Sequence, residues 1–495
     1  MKKINTYLLS TGMILLAMIT GCNQNKPEKI TDVPVTTKSK EAMDLFRQGL
    51  TCMDQGDGQK ARVAFTKAIE QDPKLAIAYI FRSGNAQTPK EFADDVNKAK
   101  ANLEGASGFE KMYAEYYETF LTSDWNKRLQ IVQKMANSYP DAARPQVELG
   151  FTYAAGNDHM KARECFEKAV SIDSAWVGGY GALFNSYLFN EPKDFAKAEQ
   201  YAMKVVRLAP SSPGAEIGLG DCYRAQKNLE KARDSYTKAI ALDSNLSEAY
   251  YKKGHADTFL GNLDEARKDY MDGSRHDESK LSSLQFIAYT YLYAGDPKTS
   301  LTWLADQAAK MDASSASKDN GYSAKNMVLS DCANIAMFNN DASKFQEFIA
   351  MNEPLNDRIA NDIGTNEAKL SIRASMLRNQ ALLAAIQGNY DMAKAKADEM
   401  KTTVEPLTDP TKLEGYETVL GYIAMKQKKY TEAITHFEKS AQNSLLTKYW
   451  LAMAYEDAGN KEKAKALYIE IADNNFNLLD YALIRNEVKK KVASM

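Results

Sequence analysis

The sequence predicts an all-α protein, an α-solenoid of stacked helix-turn-helix pairs, and three observations carry that reading. One packing pattern returns along most of the chain. Its clearest copy, Ala215 to Asn245 (AEIGLGDCYRAQKNLEKARDSYTKAIALDSN), holds Leu219-Gly220, Tyr223, Ala232, Tyr236 and Ala239. Gly-Asn or Gly-Asp dipeptides stand between the halves of successive copies. No stretch of any length carries a strand signal.

The spacing is a packing code. Leu219 and Tyr223 fall on one face of a first helix, and Gly220 lets the second helix approach closely. Ala232, Tyr236 and Ala239 recur at intervals of four and three, one stripe at helical period. Small residues admit the neighbouring helix and the ring fills the space between pairs. One such hairpin cannot bury its apolar face alone, so it must stack on others. The next copy keeps the register with Tyr250, Gly254, Gly261, Ala266, Tyr270 and Gly273. An earlier one has Leu149-Gly150, Tyr153, Ala162, Phe166 and Ala169, and the first has Leu45, Gly49, Ala61, Phe65, Ala68 and Pro73. The last has Leu451-Ala452, Tyr455, Ala464 and Tyr468. Between the helices sit Gly56-Asp57, Gly156-Asn157, Gly261-Asn262, Gly295-Asp296, Gly388-Asn389 and Gly459-Asn460. A glycine there ends one helix in the left-handed conformation, and the Asn or Asp opens the next. This arrangement resembles the tetratricopeptide repeat (TPR), W-x2-L-G-x2-Y followed by A-x3-F and a late proline. The resemblance implies a right-handed superhelix whose first helices line a concave face.

Residues 1–21 read as a signal peptide: Lys2 and Lys3 form a basic start, and Tyr7 to Ile19 is mostly apolar but short for a membrane span. Ile19-Thr20-Gly21-Cys22 resembles the lipobox of bacterial lipoproteins. That resemblance implies cleavage before Cys22 and a covalent lipid on it, the only non-protein group expected. The other readings are an ordinary cleaved signal or an uncleaved anchor. Residues 22–39 read as the lipidated cysteine and a flexible tether, polar and with two prolines. Residues 40–312 form an N-terminal solenoid block, with 75–141 aromatic-rich and degenerate, read as two poorly matching pairs. Ala313 to Tyr322 is rich in Ser, Asp and Gly, so 313–325 is the expected linker. Residues 326–495 form a C-terminal block, with a second interruption at 352–366, a proline-bearing connector at 402–412 and a final amphipathic capping helix. The roughly 455 residues beyond the tether could hold about thirteen pairs.

Losing Lys2 and Lys3 moves the formal charge from −2 to −4, and no basic stripe suggests nucleic acid. Of five cysteines, Cys22 is assigned to the lipid; Cys52, Cys165, Cys222 and Cys332 stand singly, without a zinc or redox spacing, and read as buried free thiols. His159, His255, His276 and His436 are far apart, and no HExxH, G-x-S-x-G or phosphate loop is present. No nucleophile, base or metal set emerges, so an enzyme is not expected.

The expected site is the concave face. Counted in register from the packing residues, it includes Phe151, Asn185, Phe189, Asp221, Arg224, Tyr251, His255, Tyr289 and Tyr293. Aromatic rings beside single polar groups suit an extended peptide or a helix of a partner. The other reading of any one of these residues is packing within or between repeats. The row lacks the repeated Lys and Asn with which TPR domains clamp a C-terminal carboxylate. The expected function is a lipid-anchored protein–protein scaffold of the bacterial envelope, at the outer membrane on its periplasmic or surface face. The alternative is a SusD-like outer-membrane lipoprotein binding a glycan nutrient. Against it stand repeats running nearly to the C-terminus and only four tryptophans.

Overall fold

Residues 33–277, 279–314, 321–440 and 444–494 are described by the structure, a computed structural model, and every regular element among them is an α-helix. The expected signal peptide and the expected lipid site at Cys22 lie outside the described residues. The first pairs are α1 (Lys40–Asp54) with α2 (Gly58–Gln71), α3 (Ala76–Ser83) with α4 (Pro89–Ala101), and α5 (Gly108–Thr122) with α6 (Trp125–Ser138). Then come α7 (Arg144–Ala155) with α8 (His159–Ile172), α9 (Val177–Phe189) with α10 (Phe195–Leu208), and α11 (Pro213–Ala225) with α12 (Leu229–Leu242). The middle continues with α13 (Ser247–Leu260) and α14 (Leu263–Ser274), α15 (Leu281–Tyr293) and α16 (Pro297–Lys310), and α17 (Tyr322–Phe338) and α18 (Ala342–Ile363). The last pairs are α19 (Asn366–Ile386) with α20 (Tyr390–Val404), α21 (Glu414–Lys426) with α22 (Tyr430–Phe437), and α23 (Leu445–Asp457) with α24 (Lys461–Ala472). A final helix, α25 (Leu479–Ser494), follows.

Five of the pairs are held as the spacing requires. A Cβ on Gly220 would come within 2.5 Å of the Tyr236 ring, and one on Gly254 within 2.5 Å of Tyr270. Gly49 against Phe65, Gly150 against Phe166 and Gly421 against Phe437 repeat the contact. Ala232, Ala239, Ala162, Ala169 and Ala464 are fully buried beside these rings. The turns work as expected at Gly56, Gly261, Gly295, Gly388 and Gly459, all at positive φ. At the α7–α8 turn the left-handed residue is instead Asn157 (φ 63°), because Asp158 rather than Asn157 caps α8. Lys227, Asn340 and Lys428 take the same conformation where no glycine is available.

Three details differ from expectation, and a fourth agrees with it. The tether is docked from Val33 onward: Val33 joins the core, Thr36 bonds Glu110, and the Thr37 hydroxyl donates to Asp72 at 2.5 Å. Residues 322–325 of the expected linker are the first turn of α17, and one apolar core runs from Phe259 through Met311 and Tyr322 to Val488. The interruption expected at 352–366 is corrected: α18 passes through Pro354 because its stripe of Phe345, Phe348, Ile349 and Leu355 continues, and the break falls at Gly364 (φ 80°). Residues 75–141 do form two pairs, α3–α4 and α5–α6, packed on a ring cluster of Phe81, Phe109, Tyr113 and Tyr116 rather than on the repeat's glycine contact.

The superhelix also meets itself. Gln55 and Gly56, after α1, reach the start of α11, where the Ser212 hydroxyl donates to the Gln55 carbonyl at 3.1 Å. Residues 121–125 touch 365 and 408: Thr365 Oγ1 donates to Leu121 O at 2.5 Å, and the Trp125 amide to Thr408 Oγ1 at 2.7 Å. The third meeting, of α25 with α15, decides what remains of the groove.

Candidate functional site

The structure divides the nine expected concave residues. Phe151 (49% exposed), Asn185 and Phe189 (41% exposed) are accessible. Asp221, Arg224, Tyr251, His255, Tyr289 and Tyr293 are buried, and their expected exposure is corrected. Tyr251 packs on Gly273 and Phe286 between repeats, and the loop before α25 covers Arg224, His255 and Tyr293.

The cover is specific. Phe476, in the loop between α24 and α25, packs on Phe189 at 4.8 Å between centroids, with the Arg224 guanidinium 4.9 Å from its own ring centre. The Asn477 amide accepts from the Tyr293 hydroxyl at 3.0 Å and donates toward His255 Nδ1 at 3.0 Å and Tyr270 at 3.2 Å. Burial, with Arg224 and Lys252 adding to it, holds His255 well below its ordinary value, so its neutral ring accepts at Nδ1. Beneath them Asp221 accepts from Arg224 (2.9 Å), Tyr236 (2.7 Å) and Lys252 (2.8 Å). Burial pushes that carboxyl up, but Lys252 and Arg224 outweigh it and hold it below the usual range. Tyr251 bonds Asp277, and Tyr289 bonds Asp331 at 2.9 Å. Tyr289→Phe would therefore be read in stability: about 1–2 kcal/mol in urea unfolding, the cost of a buried acceptor losing its donor.

What stays open is a cavity of about 400 Å³ between α1, α5, α7 and α9. Phe151 and Asn185 border it, with Phe81, Tyr117, Trp176 and Phe184 supplying aromatic wall, while Gly178 and Gly214 let Trp176 and Gln55 approach closely. A Cβ added at Gly181 would meet no atom within 4 Å, so this part of α9 faces empty space. The framework is an ionic knot. Arg144 donates through Nη1 and Nη2 to Asp54 at 3.0 and 2.8 Å, a bidentate geometry that fixes both groups. Trp176 Nε1 donates to the same carboxylate at 2.8 Å, and the Arg144 guanidinium lies 4.9 Å from the Trp176 ring centre. Glu148, one turn further along α7, lines the cavity and accepts from the Tyr116 hydroxyl at 3.4 Å. Burial pushes its carboxyl up to about 7, against the opposing pull of Arg144 and the hydroxyls of Tyr116 and Tyr113.

Sequence reasoning found the two ends of this site and missed its centre. Arg144, Glu148 and Trp176 belong to the inner face by register, but Asp54 and Gly214 arrive from distant repeats, and no local signal announces them. Cys222 and Cys332 are buried free thiols; Cys52 and Cys165 are only partly buried, since their helix faces border solvent. His255 lies in the closed groove, His436 pairs with Glu417 at 2.6 Å, and His276 stacks on Tyr250. Among the described residues no cluster of His, Cys, Asp or Glu is arranged to hold a metal ion.

Pairing, glycine contacts and groove together define an α-solenoid that carries tetratricopeptide repeats. Family profiles described as TPR repeat and tetratricopeptide repeat match residues 143–175, 220–257, 247–274 and 447–475. Among similar proteins, the anaphase-promoting complex subunit CDC16 of Saccharomyces cerevisiae is 25% identical over 285 residues, or 55% of this chain. The match takes in 33% of the yeast protein, so the chain spans about a third of that relative. The type IV pilus assembly protein PilF of Pseudomonas aeruginosa is 27% identical over 211 residues, covering 39% of this chain and 75% of PilF. The mitochondrial import receptor subunit TOM70 of Rattus norvegicus is 24% identical over 254 residues, covering 50% of this chain and 37% of the receptor. Among solved structures, yeast Tom70 aligns over 88% of this chain and 90% of its own, at 18% identity and a TM-score of 0.43.

Proposed function

We propose that this protein is a non-catalytic interaction scaffold of the bacterial envelope, anchored by lipid on Cys22, which captures a segment of a protein partner in the open part of its inner groove. The observation that carries the reading is the empty, aromatic-walled space in front of Gly181. A helical glycine with nothing before it, beside an exposed Phe151, leaves apolar surface for something else to cover. The names of the relatives, a complex subunit, an assembly protein and an import receptor, agree with a part played among other proteins. Anchoring rests on the lipobox resemblance at Ile19 to Cys22. Several acyl chains on one cysteine would hold the protein stably and raise its local concentration near a membrane partner.

The test is a crosslinked pull-down from native membranes with the lipidated protein and its Gly181→Trp variant. The indole fills the groove, and replacing glycine inside a helix does not cost local stability. A stoichiometric protein partner lost in the variant, at unchanged melting temperature, supports capture in the groove. Equal recovery with both proteins would remove the groove from the reading, and a glycan in place of a protein partner would replace the reading with nutrient binding. Cys22→Ala should move the protein from the membrane to the soluble fraction.

A further inference from the structure

The cavity holds a chemical asymmetry that names its occupant. Asp54 is saturated by Arg144 and Trp176, and the bidentate geometry turns the guanidinium toward that carboxylate. Glu148 is in a different situation. Its bonded neighbour is a phenol at 3.4 Å, and it forms no ion pair among the described residues. The Tyr113 hydroxyl, fully buried and without a partner at bonding distance, lies near the same carboxyl. Phe81 and Trp176 already lie against the Arg144 guanidinium, while Tyr117, Phe151 and Phe184 line the same cavity, and ring faces attract cations as carboxylates do. The site thus offers an acid and aromatic rings, with no counter-charge of its own left over.

Resting on the groove reading above, we infer that this cavity receives a basic side chain, Lys or Arg, from an extended partner segment with apolar flanks, and that Glu148 is the residue that reads it. The flanks lie on Phe151 and Phe184 while the cation reaches Glu148 beneath them. Charge complementarity argues for this occupant. A neutral or acidic side chain would leave Glu148 poorly solvated without return, and a cation supplies the missing partner. The titratable and charged groups facing Glu148 are Asp54 of α1, the tyrosines 113, 116 and 117 of α5, and Arg144 of its own helix. The inner face of α9 adds only Trp176, glycines and Asn185, none of which titrates near neutrality.

The pH dependence follows in sign. In the free protein burial favours the protonated acid, with its titration near 7. A bound cation favours the carboxylate, so binding releases a proton and tightens as pH rises from 6 to 8. The same linkage costs the empty site stability: the penalty of ionising Glu148 in place begins above its ordinary value of 4.5, grows until about 7 and is constant beyond. Glu148→Gln should raise the melting temperature clearly more at pH 8 than at pH 5.

The experiment uses the full lipidated protein in detergent and an array of 12-residue peptides, identical and apolar except for a central Lys, Arg, norleucine or Glu. The expected result is at least tenfold tighter binding of the Lys or Arg peptides over the norleucine peptide at pH 8. Glu148→Gln should shrink that ratio to about twofold or less without weakening the norleucine peptide, and Gly181→Trp should abolish binding of all. If all peptides bind alike and Gly181→Trp still blocks them, the groove stands and the basic-residue reading falls. If Gly181→Trp blocks nothing, or no peptide binds, both readings fall.

Discussion

Deleting residues 473–495 should add a separate unfolding transition at markedly lower urea than any shown by the full chain. α25 buries Tyr481, Leu483, Ile484 and Val488 against α15, α17 and α23. At about 1.5–3 kcal/mol for each large apolar side chain, their loss removes about 6 kcal/mol or more, comparable to the net stability of a domain. The polar loss adds to it. Without Asn477, the buried hydroxyl of Tyr293 has no acceptor there, and Asn486 no longer donates to the carbonyls of Leu292 and Tyr293. In a solenoid each pair contacts mainly its neighbours, so damage at one end normally stays local. Here the terminal segment also touches α13, α14 and α15 through His255, Tyr270 and Tyr293, and the early transition should include those helices. Hydrogen exchange of the truncated protein should show amides of α13 and α15 deprotected together with those of α23 and α24. Protection of α13 and α15 equal to that of the full protein would show that the C-terminal segment covers the groove without supporting it.

Gly214→Ala should destabilise the protein by about 2 kcal/mol, although the helix it sits in would favour alanine by up to about 1 kcal/mol. A Cβ at this position would overlap the Gln55 carbonyl oxygen and lie 3.0 Å from its carbon. The obstacle is main chain, so no rotamer change relieves it, and the turn between α1 and α2 must back away from α11. Asp54 stands next to Gln55, and its carboxylate holds both Arg144 and Trp176. The substitution should therefore loosen the cavity as well as the fold, reducing capture of the groove partner at least tenfold at temperatures where the protein is still folded. Urea unfolding and the pull-down read the two effects separately. Stability equal to or above wild type would mean that the first pair does not rest on α11 in solution.

These two sites mark how far the sequence could be read. Gly220 against Tyr236 and Ala232 beside it are partners fewer than twenty residues apart, within one repeat, so their spacing alone states that they touch. The same holds for the left-handed turn residues, where even the exception at Asn157 differs only by the step that places Asp158 as the cap. Tyr289 and Tyr293 were legible as inward-facing, four apart on α15. What covers Tyr293 was not legible, because Asn477 comes from nearly two hundred residues away. The degenerate stretch 75–141 gave up its two helix pairs through composition, but its ring cluster follows no repeat spacing and could not be placed from the text of the chain.

The sequence by itself determined the unit: two helices, a left-handed turn, an aromatic ring against a glycine, and the requirement to stack. Those are contacts between near neighbours, paid for in residues that sit at fixed helical intervals. The tertiary structure alone decided where the coil meets itself, and hence which part of the inner face is filled by Phe476 and Asn477 and which part is left open before Gly181 and Glu148. That outcome is the sum of small rotations from one pair to the next. No single repeat encodes the sum, so the site appears only when all the pairs are in place.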